Sequence, residues 1–332
     1  MKINSLKEMH DLGVSFWRVC VLHTAVRLQV FTHLGTHSLT AGELAERMKT
    51  EPRATGLLLN AITALGLLSK SGDAYSNTPF SRQHLDEHSP NFMGNIIYHY
   101  LHMYAHWGKL DEAIRTGKSI VRREDRDEEA VKQFLLGMHN LAIRGAEVLA
   151  SRLDLGAHRQ MLDLGGGPGT YSLYFCRHNP RLTSLIFDLP DTEPVAKEKI
   201  ASFQLAERVR FQPGNFHEDP LPEGPFDLVF MSHILHGSSD SECAELMRRV
   251  FPVVSPGGEV IIQEFVLNED KTEPTFAAMF ALNMLIHTPG GRSYSFGEMS
   301  SWLLDAGFEN PTPYHCDLPN DASLIRATKS LA

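Results

Sequence analysis

The chain has 332 residues, 42% of them hydrophobic, and a formal net charge of −9 at pH 7. That length allows two ordinary domains with sizeable cores, and the acidic balance argues against a nucleic-acid partner, which would need clustered Lys and Arg. Four cysteines, Cys20, Cys176, Cys243 and Cys316, lie far apart without metal-ligand spacing and read as reduced thiols.

No charged-then-apolar leader opens the sequence, and the longest apolar stretch, 276–286, is too short to span a bilayer. A cytoplasmic protein with no membrane partner is expected. Phe16, Val19, Val21, Leu22, Ala25, Val26, Leu28 and Val30 describe one broad apolar helix that invites dimerisation. Ser38-Leu-Thr40-Ala-Gly-Glu43 has the form of a capped helix start, and Pro52 opens another helix that runs to Gly66. Leu67 to Lys70, a turn at Ser71-Gly72-Asp73 and Ala74 to Asn77 predict a small β-hairpin. Helix, turn, helix and hairpin together suggest a winged helix. Between Ser38 and Thr78, Arg47, Lys49, Arg53 and Lys70 are matched by Glu43, Glu46, Glu51 and Asp73. A neutral segment is poorly suited to DNA, so a winged-helix regulator is a remote alternative and packing against protein the favoured reading.

A helical bridging region follows from about Phe92 to Leu153, with a charge run at Arg122 to Glu129 that reads as solvated. His99, His102 and His106 can share a helix face there. An aromatic-rich packing surface, a pocket for a flat phenol and a metal site all remain open for them. From Gln160 the pattern changes to short apolar strands near 160–164, 183–187, 208–212, 226–231 and 259–265, alternating with helices. That is an α/β, doubly wound, Rossmann-like domain. Pro313 to Cys316 and Ser323 to Ala327 offer a closing hairpin.

In Met161-Leu162-Asp163-Leu164-Gly165-Gly166-Gly167-Pro168-Gly169-Thr170 an apolar strand delivers an acid, then a glycine-rich turn, then a helix start. Glycines admit close approach of the backbone to a ligand, and a helix N-terminus favours an anionic group. The spacing departs from the dinucleotide pattern Gly-x-Gly-x-x-Gly. It favours S-adenosylmethionine, whose ammonium, or water around it, suits Asp163. Asp188 ends the next strand, where it suits ribose hydroxyls. Asn215 and Phe216 follow the third strand and suit an adenine: an acceptor for its amine and a ring for its face. His236 follows the fourth strand as a candidate base, with His233 one helical turn before it and Glu264, at the end of the fifth, behind its ring.

With those residues in view, the chain resembles the S-adenosylmethionine-dependent O-methyltransferases of the caffeic acid, hydroxyindole and hydroxyneurosporene type. The most specific stretches are Leu162 to Thr170, Phe187-Asp-Leu-Pro190, Gly214-Asn-Phe216, Met231-Ser-His-Ile-Leu-His236, Pro256 to Glu264 and Met284-Leu-Ile-His-Thr-Pro-Gly-Gly291. The resemblance implies a class I methyltransferase domain behind a winged-helix dimerisation domain, and a homodimer. It divides the chain into 1–90 for dimerisation, 91–155 as a bridging region lining the substrate pocket, and 156–332 for cofactor and catalysis. It makes His236 the general base and Glu264 its support, with no metal. Asp163, Gly165, Gly167, Asp188, Leu189, Asn215, Phe216 and Ser232 would line the cofactor site. Phe134, Met138, Met284 and His287 would line the pocket of a small aromatic or heteroaromatic substrate.

Some positions depart from the family pattern. Gly237 stands where Asp is common, Ser238 where an aromatic often follows, Asn215 where Asp is usual, and Ser293 where a second orienting acid is frequent. Carbon or nitrogen methylation, or other chemistry on the same cofactor, is therefore the alternative to hydroxyl methylation.

Overall fold

The computed structural model describes residues 3–121, 128–314 and 316–331. Most of the charge run at 122–129 lies outside them. The chain divides into two compact units, 1–103 and 104–332.

In the first unit, the expected single apolar helix is broken. Phe16–Arg27 and Val30–Leu34 are separate helices, with Gln29 between them in the left-handed region at φ 53°. The break turns Ala25, Val26, Val30, Phe31 and Leu34 into one core. The upstream apolar residues stay outside it: Phe16 is 45% and Trp17 61% exposed. Thr40 caps the helix Ala41–Met48, its hydroxyl accepting from the Glu43 N–H while the Glu43 carboxylate accepts from the Thr40 N–H. Such a reciprocal cap satisfies donors that a helix start leaves open. The next helix, Pro52–Ala64, leads into a three-stranded sheet of β1 (Ser38–Thr40), β2 (Leu68–Ser71) and β3 (Ala74–Asn77), with β3 central. The hairpin of β2 and β3 is the one expected; β1 was not anticipated, because three residues carry too little alternation to read.

The second unit is built on a seven-stranded sheet. Its strands are β4 (Gln160–Leu164), β5 (Thr183–Asp188), β6 (Val209–Pro213), β7 (Phe226–Ser232), β8 (Val254–Glu264), β9 (Glu309–Tyr314) and β10 (Ser323–Thr328). The order is β6-β5-β4-β7-β8-β10-β9; the first five are parallel, and β10 runs antiparallel to β8 and β9. β9 and β10 form the closing hairpin. Helices cover both faces, so parallel strands read as nearly unbroken apolar runs. In β4, Leu162 and Leu164 are fully buried on one face of the sheet and Met161 on the other. Each such side chain contributes about 1.5–3 kcal/mol of burial. From β4 the chain moves outward to β5 and β6, then returns past β4 to β7 and β8. The crevice at that reversal, beyond the carboxyl ends of the strands, is where open α/β sheets hold ligands. Among the described residues no helix is long and apolar enough to cross a membrane.

Candidate active site

The glycine-rich turn after β4 is shaped by close approach on several sides. Gly165, Gly167 and Gly169 lie at φ 66°, 55° and 77°, in the left-handed region. A Cβ on Gly165 would lie 2.6 Å from Ile234 and 3.2 Å from the Phe216 ring, and one on Gly166 would lie 2.6 Å from the Asp163 carboxyl. A Cβ on Gly167 would meet nothing within 4 Å, so the turn opens there. Gly169 occupies the N-cap of helix Thr170–His178 and supplies no side-chain cap.

Two carboxylates frame this turn. Asp163 is buried, and one of its oxygens accepts from the Ser172 hydroxyl. Its other oxygen is buried without a hydrogen-bond partner among the described residues. Burial pushes its carboxyl up to about 6, although the bonds from Ser172 act the other way. Asp188 accepts from the Gly167 N–H at 2.7 Å and the Leu189 N–H at 2.7 Å, and from the Thr192 hydroxyl at 3.3 Å. Burial raises its carboxyl while those backbone bonds oppose the rise. Asp188 thus ties the tip of β5 to the turn.

The other expected cofactor residues gather around the same edge. Phe216 faces Gly165 and lies 4.5 Å from the His217 ring. The Asn215 side-chain oxygen accepts from the His217 N–H at 3.0 Å, which shapes the turn after β6. The Ser238 hydroxyl, where an aromatic was expected, bonds His217 Nε2 at 2.9 Å. The Ser232 hydroxyl donates to Gln263 at 3.2 Å.

At the ends of β7 and β8, His236 Nδ1 lies 2.8 Å from Glu264 Oε2. The other Glu264 oxygen accepts from the N–H groups of Leu235, at 2.9 Å, and His236, at 3.2 Å. Burial alone would raise the Glu264 carboxyl; the His236 and His233 rings beside it outweigh that and hold it well below the usual range. The carboxylate fixes the His236 ring in place, with Nδ1 as donor and Nε2 as the nitrogen left to accept. His233 is not on a helical turn, as its spacing suggested. It sits at φ 56°, and only Leu235–Gly237 forms a short 3₁₀ turn.

The aromatic group around His236 was not anticipated from the sequence. Phe280 meets the His236 ring edge-on at 4.8 Å, and Phe265 and Phe276 complete the group. The available signals were the Phe directly after Glu264 and the apolar run 276–286. Ser293 directs its hydroxyl to the Ala277 carbonyl at 2.8 Å, so it ties the loop to a helix.

The proposed pocket residues divide into three places. Met284 is buried, and its carbonyl accepts from Thr288, whose hydroxyl accepts from the Gly291 N–H. A Cβ on Gly291 would collide with the His236 carbonyl, so this loop packs against the backbone at His236. His287 instead pairs with His106 at 3.2 Å, and its Nδ1 donates to the Asn283 carbonyl at 2.8 Å. Phe134 and Met138 are half-buried on helix Glu128–Arg152. The next residue, His139, bonds the Thr170 hydroxyl at 2.8 Å, where the cofactor turn becomes a helix. Burial, then the charge of Lys199, lowers the His139 imidazole to about 4 and keeps it neutral. His99 and His102 belong to the first unit and His106 to the second.

The turn fits an aminoacyl nucleoside. It has an unpartnered buried carboxylate oxygen beside it, open space at Gly167 and an uncapped helix start. Comparison with known proteins points the same way. A family model for the O-methyltransferase domain matches residues 107–309, and one for the O-methyltransferase dimerisation domain matches 11–87. The chain is 34% identical over 309 residues to the tetracenomycin polyketide synthesis 8-O-methyl transferase TcmO of Streptomyces glaucescens, covering 91% of each. It is 33% identical over 308 residues to acetylserotonin O-methyltransferase of Gallus gallus, covering 87% of this chain and 88% of that one. Among solved structures, an O-methyltransferase family protein from Burkholderia thailandensis superposes with a TM-score of 0.89 at 28% identity over 99% of both chains. Human N-acetylserotonin methyltransferase, in complex with its methyl donor, gives 0.87 at 27% identity, also over 99% of both. The chain belongs to the S-adenosylmethionine-dependent O-methyltransferase family, with a dimerisation domain ahead of the catalytic one.

Proposed function

We propose that the protein methylates a hydroxyl of a small aromatic substrate, with His236 as general base. The observation that carries this is the 2.8 Å pairing of His236 Nδ1 with a buried, ionised Glu264. Bound S-adenosylmethionine supplies an activated methyl group and a neutral thioether leaving group. The chain's own residues do the rest. His236 Nε2 takes the acceptor proton while Glu264 stabilises the imidazolium that forms. Phe265 and Phe280, half-buried beside His236, would offer faces to an aromatic ring.

Asp163, Gly165, Gly167, Asp188, Leu189, Asn215, Phe216 and Ser232 would hold the methyl donor. Asp163 would receive its ammonium through the unpartnered oxygen, and Asp188 its ribose. Phe134, Met138, Met284 and His287 would line the acceptor pocket. The names of relatives favour a fused-ring or indole acceptor: a tetracenomycin polyketide, a 3-hydroxynaphthoate and acetylserotonin. We also propose a homodimer through the first unit, whose Leu6, Met9, Phe16 and Trp17 are exposed. The test is single-turnover transfer of labelled methyl to hydroxynaphthoate and hydroxyindole acceptors. Label on oxygen in wild type and its loss in His236→Ala are expected. Label on carbon or nitrogen would refute the hydroxyl reading.

A further inference from the structure

One imidazole against Glu264 is all that proton removal needs, yet two are present. His233-x-x-His236 and Glu264 place three ligand atoms within 4.8 Å of one another. His233 Nδ1 stands 3.7 Å from Glu264 Oε2, too far for a hydrogen bond. It is buried with no hydrogen-bond partner among the described residues, a condition polar atoms in folded proteins rarely tolerate. The His233 backbone is also held at φ 56°, where residues bearing a Cβ are uncommon. Stacking on Phe265, at 4.3 Å and 32°, steadies the ring. A left-handed backbone thus sets a second nitrogen, without a hydrogen bond of its own, beside a carboxylate that already serves His236.

We propose that His233, His236 and Glu264 bind a divalent transition ion of the zinc type, and that its binding switches the base off. Two imidazoles and one carboxylate are a donor set for zinc, whereas magnesium and calcium require mainly oxygen ligands. The side chains of His233 and His236 are 26% and 15% exposed, so solvent reaches the rings, and the ion reaches the buried His233 Nδ1 and Glu264 as the rings turn. Bonds of about 2.0–2.1 Å put tetrahedral ligand atoms roughly 3.4 Å apart. His236 and Glu264 would open slightly and the two rings close, as side-chain rotations allow.

The consequence for His236 follows from its tautomers. The ion takes Nδ1, whose proton leaves to water. The neutral ring then carries a proton taken from water on Nε2, so no net proton is lost. Nε2 can no longer accept from a substrate hydroxyl. This silencing rests on His236 being the base; the binding does not.

The test is titration of chelator-treated protein with zinc chloride by calorimetry, joined to visible absorption of the cobalt(II)-loaded form. One ion per chain and the intense cobalt bands of a four- or five-coordinate site are expected. His233→Asn should weaken zinc binding by about 100-fold or more, as loss of a direct ligand must exceed the loss of an outer partner. His106→Asn should not change it, which separates this site from the His106–His287 pair. Absent binding, or binding equally tight in His233→Asn, overturns the proposal. Circular dichroism confirms that the variant is folded. Turnover surviving in His236→Ala with zinc binding lost would remove the base assignment and leave the metal site standing. Zinc-insensitive turnover in wild type that binds one ion here would remove the silencing.

Discussion

Strand β8 carries the acids of two histidine–glutamate pairs that look alike and differ in their surroundings. At its middle His158 Nε2 lies 2.9 Å from Glu259 Oε1; at its carboxyl end His236 Nδ1 lies 2.8 Å from Glu264 Oε2. Both carboxylates are buried. The third partner distinguishes them. Glu259 also accepts from Arg326 Nε and Nη2, both at 2.9 Å, so its charge is balanced by a permanent cation. Glu264 accepts from the backbone N–H groups of Leu235 and His236, which orient it without neutralising it. Its charge remains for an imidazolium to use. Arg326 on β10 ties the first pair to that strand; the second lies at the carboxyl end of the parallel strands. Distance alone does not distinguish the two pairs.

The strongest way to break that contrast is to remove each histidine. His236→Ala should lower kcat by about 10²–10⁴-fold and leave cofactor affinity, read by calorimetry, unchanged. His158→Ala should leave kcat at the wild-type level. Equal turnover in the two variants would erase the distinction. The acids sharpen it: Glu264→Gln should cost about 10²–10³-fold in kcat, since it removes the charge that supports the imidazolium. Glu259→Gln should spare kcat and lower stability by about 1–3 kcal/mol in urea unfolding, by leaving Arg326 and His158 without their counter-charge.

Asp188 tests the cofactor side in the same terms. Asp188→Ala removes the acceptor for Gly167 and Leu189, and should raise the S-adenosylhomocysteine Kd by roughly 10–100-fold, each bond to a charged group being worth about 1.5–3 kcal/mol. An unchanged Kd would count against its ribose role.

The smallest effect is a pH dependence. The hydrogen bond to Glu259 raises the His158 imidazole above its ordinary value, against the effect of burial. A raised folded value means the contribution to stability is complete below the ordinary histidine value of 6.5 and is lost as pH rises through the folded one. The stability gap between wild type and His158→Gln should therefore be larger at pH 5.5 than at pH 9. A gap that grows with pH would reverse the assigned sign.

Much of the architecture was legible in the chain. The five parallel strands, the hairpins and the caps follow from patterns only a few residues long, and Asp163, Asp188, His236 and Glu264 stood out because each lies at or just beyond the carboxyl end of a strand in one sheet. The broken first helix was not legible, because Leu28 and Gln29 contain no proline or glycine; the left-handed turn at Gln29 is stabilised by the core it creates. Nor was the place of His233, since a spacing of three suggests one helical face and the backbone instead takes a left-handed turn.

The sequence by itself determined the glycine turn, the doubly wound class implied by alternating strands and helices, and the family, because these rest on local periodicity and on residues with unusual backbone freedom. The tertiary structure decided which polar groups meet. It paired His158 with Glu259 and Arg326, turned Ser293 onto the Ala277 carbonyl, brought Phe280 to the edge of His236 and set two imidazoles on one carboxylate. Such pairings join segments far apart in the chain. They are settled by the shape of the packed core and by the cost of burying a polar group without a partner, neither of which is written in any one stretch of residues.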